Sequence, residues 1–123
     1  MPWELKTDRP IYAQLIEQIE LKICSGVYPP GSKLPSVRDL AREASVNPNT
    51  MQRALAKLED DGLLYTSRTS GRFVTEDDNM VCQVKNKLAQ EQMRDFLEKM
   101  KRLGFENKEI LNMLKTILEE VEQ

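Results

Sequence analysis

The chain has 123 residues, 40% hydrophobic and 31% charged. That fits one domain, or a small domain with an extension, and a surface-rich protein that completes its core by association. The net charge of −2 does not by itself point to nucleic acid, yet residues 1–75 carry 10 basic against 9 acidic side chains, residues 76–123 carry 8 against 11, and histidine is absent, which removes the commonest general base and metal ligand.

The first helical pattern runs from about Pro10 to Ser25. Ile11, Leu15, Ile19 and Ile23 recur every fourth residue, and Tyr12 and Ile16 widen the stripe. Pro10 suits a first turn and Gly26 a left-handed stop. "VYPPGSKLP" then breaks the pattern, with Lys33–Leu34 a candidate for a very short strand. Ser36 opens a second, short helix with Asp39 three residues on and Leu40, Ala41 and Ala44 facing inward. After "ASV", Asn47 is placed to cap a third helix with Pro48 at its first position. Met51, Ala54, Leu55 and Leu58 form its buried stripe, and Gly62 ends it. "LLYTS" and "GRFVT" around "RTS" read as a two-stranded hairpin. A long helix follows from about Asp78 to Leu103, stopped by Gly104, and Asn107 is placed to cap a last one.

The expected fold is therefore mainly α with a small β-hairpin wing: a winged helix-turn-helix over residues 1–75, then a two-helix module over residues 76–123. In such a motif the second helix of the pair enters a DNA major groove while the first braces it. The groove is ~12 Å wide, about one helix with its side chains. Removing the buried stripe from the third helix leaves Asn49, Thr50, Gln52 and Arg53 at its start, all polar. Amides pair two-fold with adenine edges and arginine with guanine. Glu59, Asp60 and Asp61 at the far end would repel phosphate, so the N-terminal end is expected to dock. Ser36 and Arg38 read as a phosphate clamp at the start of the second helix. Arg68 and Arg72 lie on the hairpin, where Gly71 lets the backbone approach a strand or groove; these are positioning contacts.

The two tail helices have apolar faces too large for a lone hairpin but cannot enclose an ordinary ~300 Å³ ligand pocket. Dimerisation is the expected role, with four helices packing from two chains through Val84, Leu88, Phe96, Met100 and Leu103 on the first helix. On the second, the face is Ile110, Leu111, Leu114, Ile117, Leu118 and Val121. A second copy supplies the second half-site that a lone helix-turn-helix needs for useful affinity.

Cys24 and Cys82 form no CxxC pair and read as small buried hydrophobes in a reducing compartment. No metal site and no cofactor is expected. The carboxylate pairs Asp60–Asp61 and Asp77–Asp78 lack a partner base, so catalysis is not expected. No apolar run approaches the ~18 residues of a membrane span, and the first ten residues hold no apolar signal core. A cytoplasmic location without a membrane partner is expected. The competing reading is a winged helix used as a protein-interaction scaffold, but a scaffold needs no row of amides and arginine at a helix start.

Residues 9–74 resemble the N-terminal domain of GntR-type bacterial transcription regulators, most specifically in "PIYAQL", "PGSKLPSVRDLA", "NPNT" and "LEDDGLL". "VNPNT" and the 48-residue tail, in place of a large ligand-sensing domain, are similar to the YtrA-type branch, whose members often control transporter operons. The resemblance implies a winged-helix fold and binding of a double-stranded operator as a homodimer, with repression as the usual outcome. By position it implies DNA contacts from Ser36, Arg38, Asn47, Asn49, Thr50, Gln52 and Arg53, with Gly71 at the wing tip. It leaves any small-molecule effector unknown. The chain departs from the family pattern at Pro48, where many members have arginine. It departs again in the wing, where Thr69 replaces a glycine and Arg72 a threonine.

Overall fold

The structure, a computed structural model, describes residues 3–122. Its elements are α1 (Ile11–Cys24), α2 (Val37–Ala44), α3 (Pro48–Asp60), β1 (Leu64–Ser67), β2 (Gly71–Val74), α4 (Asp78–Arg102) and α5 (Asn107–Glu122). The mainly helical, winged arrangement expected from the periodicities is present. The chain divides into two compact units, Met1–Asn86 and Lys87–Gln123, with the division inside α4.

One core organises the first unit. Leu15 and Ile19 of α1, Leu40 of α2, Met51, Leu55 and Leu58 of α3, and Leu63 and Val74 of the wing are all fully buried. Burying each such side chain contributes ~1.5–3 kcal/mol. An isolated helix as short as α2 is marginal in water, so this packing is what keeps its eight residues helical.

Local chemistry sets the ends of the helix pair. The Asp39 N–H donates to Ser36 Oγ at 3.1 Å, capping α2. Ser45 then takes the left-handed conformation, φ 57°, and the Val46 N–H closes the turn onto the Ala41 carbonyl at 3.0 Å. Asn47 caps α3 by accepting the Asn49 N–H on Oδ1 at 2.8 Å. Pro48 sits at the first helical position, where its missing N–H leaves no donor unpaired.

β1 and β2 pair antiparallel from Leu64↔Val74 to Ser67↔Gly71, and Tyr65 stacks on Phe73 with centroids 5.6 Å apart. The Lys33–Leu34 segment adds one bridge, Lys33 to Phe73. Its hydrogen bonds are Leu34 N–H to the Arg72 carbonyl and Val74 N–H to the Ser32 carbonyl, both 2.9 Å. The wing is thereby fastened to the segment that leads into α2.

The core continues past residue 75. Asp77 Oδ1 accepts the N–H groups of Asn79 and Met80, starting α4, and Met80, Val81 and Val84 then pack against the buried cluster. Gly62 makes room for this. Its φ is +86°, and a Cβ there would lie 2.9 Å from Met80 Sδ. Val84, read from the sequence as a dimerisation residue, is half-buried and packs on the core of its own winged unit. Cys24 is half-buried and Cys82 is exposed, so the expectation of a buried thiol does not hold for Cys82.

In the second unit the rest of α4 turns into α5. Gly104, at φ +98°, and Phe105 donate their N–H groups to the Lys101 and Met100 carbonyls. Asn107, expected as a cap, is the first residue of α5. The cap position is instead Glu106, whose N–H donates to Oε1 of Glu109, the third residue of the helix, at 3.1 Å, one half of a capping box. Ile110 is buried, whereas Leu111, Leu114, Ile117, Leu118 and Val121 are exposed, as are Phe96, Leu97 and Leu103. Leu88 and Met100 are half-buried. Among the described residues no helix is long and apolar enough to cross a membrane.

Candidate nucleic-acid interface

The start of α3 presents Asn49, Gln52 and Arg53 to solvent, with Thr50 half-buried beside them. Met51, Ala54, Leu55 and Leu58 hold the opposite face in the core. This exposed face is thus mounted on a helix that cannot roll without exposing that stripe. Asn47 is exposed, and its Oδ1 is occupied by the helix cap, which leaves its amide NH₂ as the group able to reach outward. The Arg53 guanidinium lies over the Tyr12 ring, 4.7 Å from the centroid. A stacked guanidinium keeps its edge donors available while losing rotamer freedom. The sequence reading gave Tyr12 a place in the apolar stripe and missed this platform. A tyrosine in the first turn of α1 is the available signal.

Ser36 and Arg38 stand exposed at the start of α2. Ser36, Asp39, Thr66, Gly71 and Arg72 line one open cleft of about 590 Å³ between α2 and the wing. The Asp39 carboxylate there meets Arg42 at 3.7 Å, a solvent-exposed pair of small energetic weight. Arg68 is exposed in the turn joining the strands. Gly71 holds φ +99°, and a Cβ on it would lie 3.3 Å from Lys33 Cε. Its lack of a side chain serves the wing's fit to the Lys33 segment as well as any approach to DNA.

Arg72 behaves differently from the sequence expectation. It is half-buried, and its Nε donates to Glu59 Oε1. The same Glu59 oxygen accepts from Thr66 Oγ1 at 2.6 Å. Burial pushes the Glu59 carboxyl up, but hydrogen bonds from Thr66 and Arg72 and the Arg72 charge outweigh it, and the group is held below the usual carboxylate range. Glu59 is therefore a brace for the wing, and Arg72 carries its charge to Glu59 first. Asp60 and Asp61 remain exposed at the far end of α3, with Asp61 paired to Lys57 at 3.2 Å.

The arrangement can bind a polyanion and discriminate base edges. Amide and guanidinium groups project from one helix end, hydroxyl and guanidinium groups flank it, and carboxylates are kept at the other end.

Comparison with known proteins agrees with this geometry. The family model for bacterial regulatory proteins of the gntR family matches residues 11–74. The HTH-type transcriptional regulator YhcF of Bacillus subtilis is 38% identical over 116 residues, 94% of this chain and 96% of the relative. The HTH-type transcriptional repressor YtrA of the same organism is 41% identical over 71 residues, 58% of this chain and 55% of YtrA. Among solved structures, a GntR family transcriptional regulator from Listeria monocytogenes superposes with a TM-score of 0.82 at 38% identity, covering 91% of this chain and 98% of that one. The DNA-binding domain of AraR in complex with operator ORE1 superposes with a TM-score of 0.52 at 31% identity, over 61% of this chain and 94% of that domain. The chain belongs to the gntR family of bacterial regulatory proteins, transcription regulators that bind DNA through a winged helix-turn-helix.

Proposed function

We propose that this regulator is a cytoplasmic repressor that binds a near-palindromic operator as a homodimer, the winged unit reading DNA and the C-terminal helices pairing two copies. The observation that carries the reading is the exposed row Asn49, Gln52 and Arg53 at the start of α3, with its carboxylates at the other end. In this reading those three side chains and Thr50 contact base edges. Ser36, Arg38, Arg68 and the Asn47 amide contact phosphates, and Arg72 positions the wing. Two further observations support the whole. The related YtrA is named a repressor, and α5 exposes Leu111, Leu114, Ile117 and Leu118 on a helix whose one buried residue among those described is Ile110. Apolar area of that kind is what a second copy covers.

Selection of bound duplexes from a random pool tests the reading. Two inverted half-sites are expected, about one helical turn (~34–36 Å) or a multiple apart. Recovery of a single unrepeated site, or of no sequence at all, would refute it. Sedimentation at micromolar concentration should give a dimer, and a monomer there would remove the pairing role from the tail.

A further inference from the structure

The segment before α1 is fastened along that helix by a row of polar side chains. Gln14, Gln18 and Lys22 stand at i, i+4 and i+8, on one helical face. Gln14 is 1% exposed. Its Oε1 accepts the Lys6 N–H at 2.6 Å, and its Nε2 donates to the carbonyls of Lys6 at 2.7 Å and Arg9 at 2.9 Å. Gln18 Nε2 donates to the Glu4 carbonyl at 3.3 Å. The Lys22 ammonium sits 3.7 Å from the centroid of the Trp3 ring, and Leu5 packs on the core. A buried glutamine that satisfies both backbone groups of one residue fixes that residue's direction. The direction places Lys6 and Thr7 in the lining of an open cleft shared with Asn47 and Thr50, at the base-reading end of α3. Lys6 is the one charged residue of that lining, which contains no carboxylate. Its side chain is exposed and pairs with no acid among the described residues.

We propose that residues 3–9 form a fixed strap that delivers the Lys6 ammonium to a DNA phosphate flanking the bases read by α3. The strap precedes the residues matched by the family model, which begin at Ile11. The inference rests on the DNA-reading role given above and adds a contact to it. Ordering a backbone residue carries an entropic cost; where the fold has already met that cost, a lysine binds phosphate without ordering a free arm. Gln14 is a positioning residue in this scheme, and Lys6 makes the contact.

The test is the salt dependence of operator binding by the full chain and its Lys6→Ala and Lys6→Arg variants. Loss of one phosphate contact lowers the slope of log K against log salt by about 0.9 on duplex DNA. The wild-type advantage over Lys6→Ala should therefore shrink about threefold between roughly 50 and 200 mM salt. The same change should appear on non-operator duplex, base preference should be unaltered, and Lys6→Arg should retain the wild-type slope. Gln14→Leu should also lower the slope, even though residue 14 lies in the core and touches no DNA. An unchanged slope for Lys6→Ala, with a wild type that binds its operator, overturns the strap contact alone. A wild type that binds no duplex overturns both this and the operator reading.

Discussion

Thr66 and Arg72 are register partners across the wing, and both donate to the same Oε1 of Glu59 at the end of α3. One carboxylate thus ties both strands of the hairpin to the recognition helix. The wing's orientation relative to α3 depends on a charge-assisted pair that is mostly shielded from solvent, with side-chain exposures of 18% for Arg72 and 28% for Glu59. Removing either partner leaves the other short of a hydrogen bond. Arg72→Ala and Glu59→Ala should each cost about 1–2 kcal/mol in urea unfolding, and the double variant should cost less than their sum. Arg72→Ala should leave the salt slope of DNA binding nearly unchanged, whereas Arg68→Ala should lower it by about 0.9. Equal slopes for those two variants would show that Arg72 reaches phosphate as well.

The same pair sets an acid limit. Glu59 is held below its ordinary value, about 4.3 for an unfolded chain, so the folded state favours the ionised form. The associated stability is fully present above the unfolded value and is lost as pH falls through the depressed folded value. The stability difference between wild type and Glu59→Gln should be constant at neutral pH and should narrow once pH drops below about 4.3. Unfolding midpoints measured on both proteins across that window check it, and a difference independent of pH would contradict the pairing.

Much of this was legible in the chain, and the rest was not for identifiable reasons. The four-residue spacing of Ile11, Leu15, Ile19 and Ile23, and the Asn47–Pro48 start of α3, are local signals that survive folding because nothing distant competes with them. The Glu59–Arg72 contact joins residues 13 apart in sequence through a hairpin return, and no periodicity encodes that. Arg72 therefore read as a free cation on a basic wing. The continuation of core contacts past residue 75 was hidden for another reason. α4 runs unbroken from Asp78 to Arg102, without a glycine or proline where the core contacts of Val84 end. The strap at residues 3–9 has no regular element, and its anchors Gln14 and Lys22 are polar residues on an apolar face.

Tyr12 should control how well Arg53 reads its base. The stack at 4.7 Å is worth ~0.5–1 kcal/mol at an exposed site. Tyr12→Leu should weaken operator binding by a few-fold while leaving binding to non-operator duplex unchanged. Tyr12→Phe keeps the ring and should behave as wild type. Arg53→Lys retains the charge but loses the planar fork, and it should relax specificity at one base position. Competition binding with operator and scrambled duplex separates these outcomes, and equal losses on both duplexes would assign Arg53 to phosphate.

Asn49 and Gln52 make the complementary case. Each lacks a side-chain partner in the free protein among the described residues, and each projects from the first turns of α3. Asn49→Ala or Gln52→Ala should remove ~1–3 kcal/mol of discrimination at a single base pair. Arg38→Ala, at the start of α2, should instead weaken binding to every sequence and lower the salt slope. A uniform loss for the two amide variants would refute their base-reading role.

The place where the winged unit ends can be tested by truncation. Met80, Val81 and Val84 pack on the core cluster, and Met80 Sδ fills the space that a side chain at Gly62 would occupy. A fragment ending at residue 75 loses all three contacts and exposes the core beneath them, whereas one ending at residue 86 keeps them. At ~25 cal/mol per Å² of apolar surface, partial burial of three such side chains corresponds to about 2–4 kcal/mol. The shorter fragment should unfold at clearly lower urea, and Gly62→Ala should destabilise the full chain too, through its +86° φ as well as by displacing Met80. Both fragments lack the exposed face of α5, so both should bind an operator half-site as monomers and lose the gain from a second half-site. Fragments of equal stability would place the boundary at residue 75, and a dimeric 1–86 fragment would move the pairing surface from the tail to the winged unit.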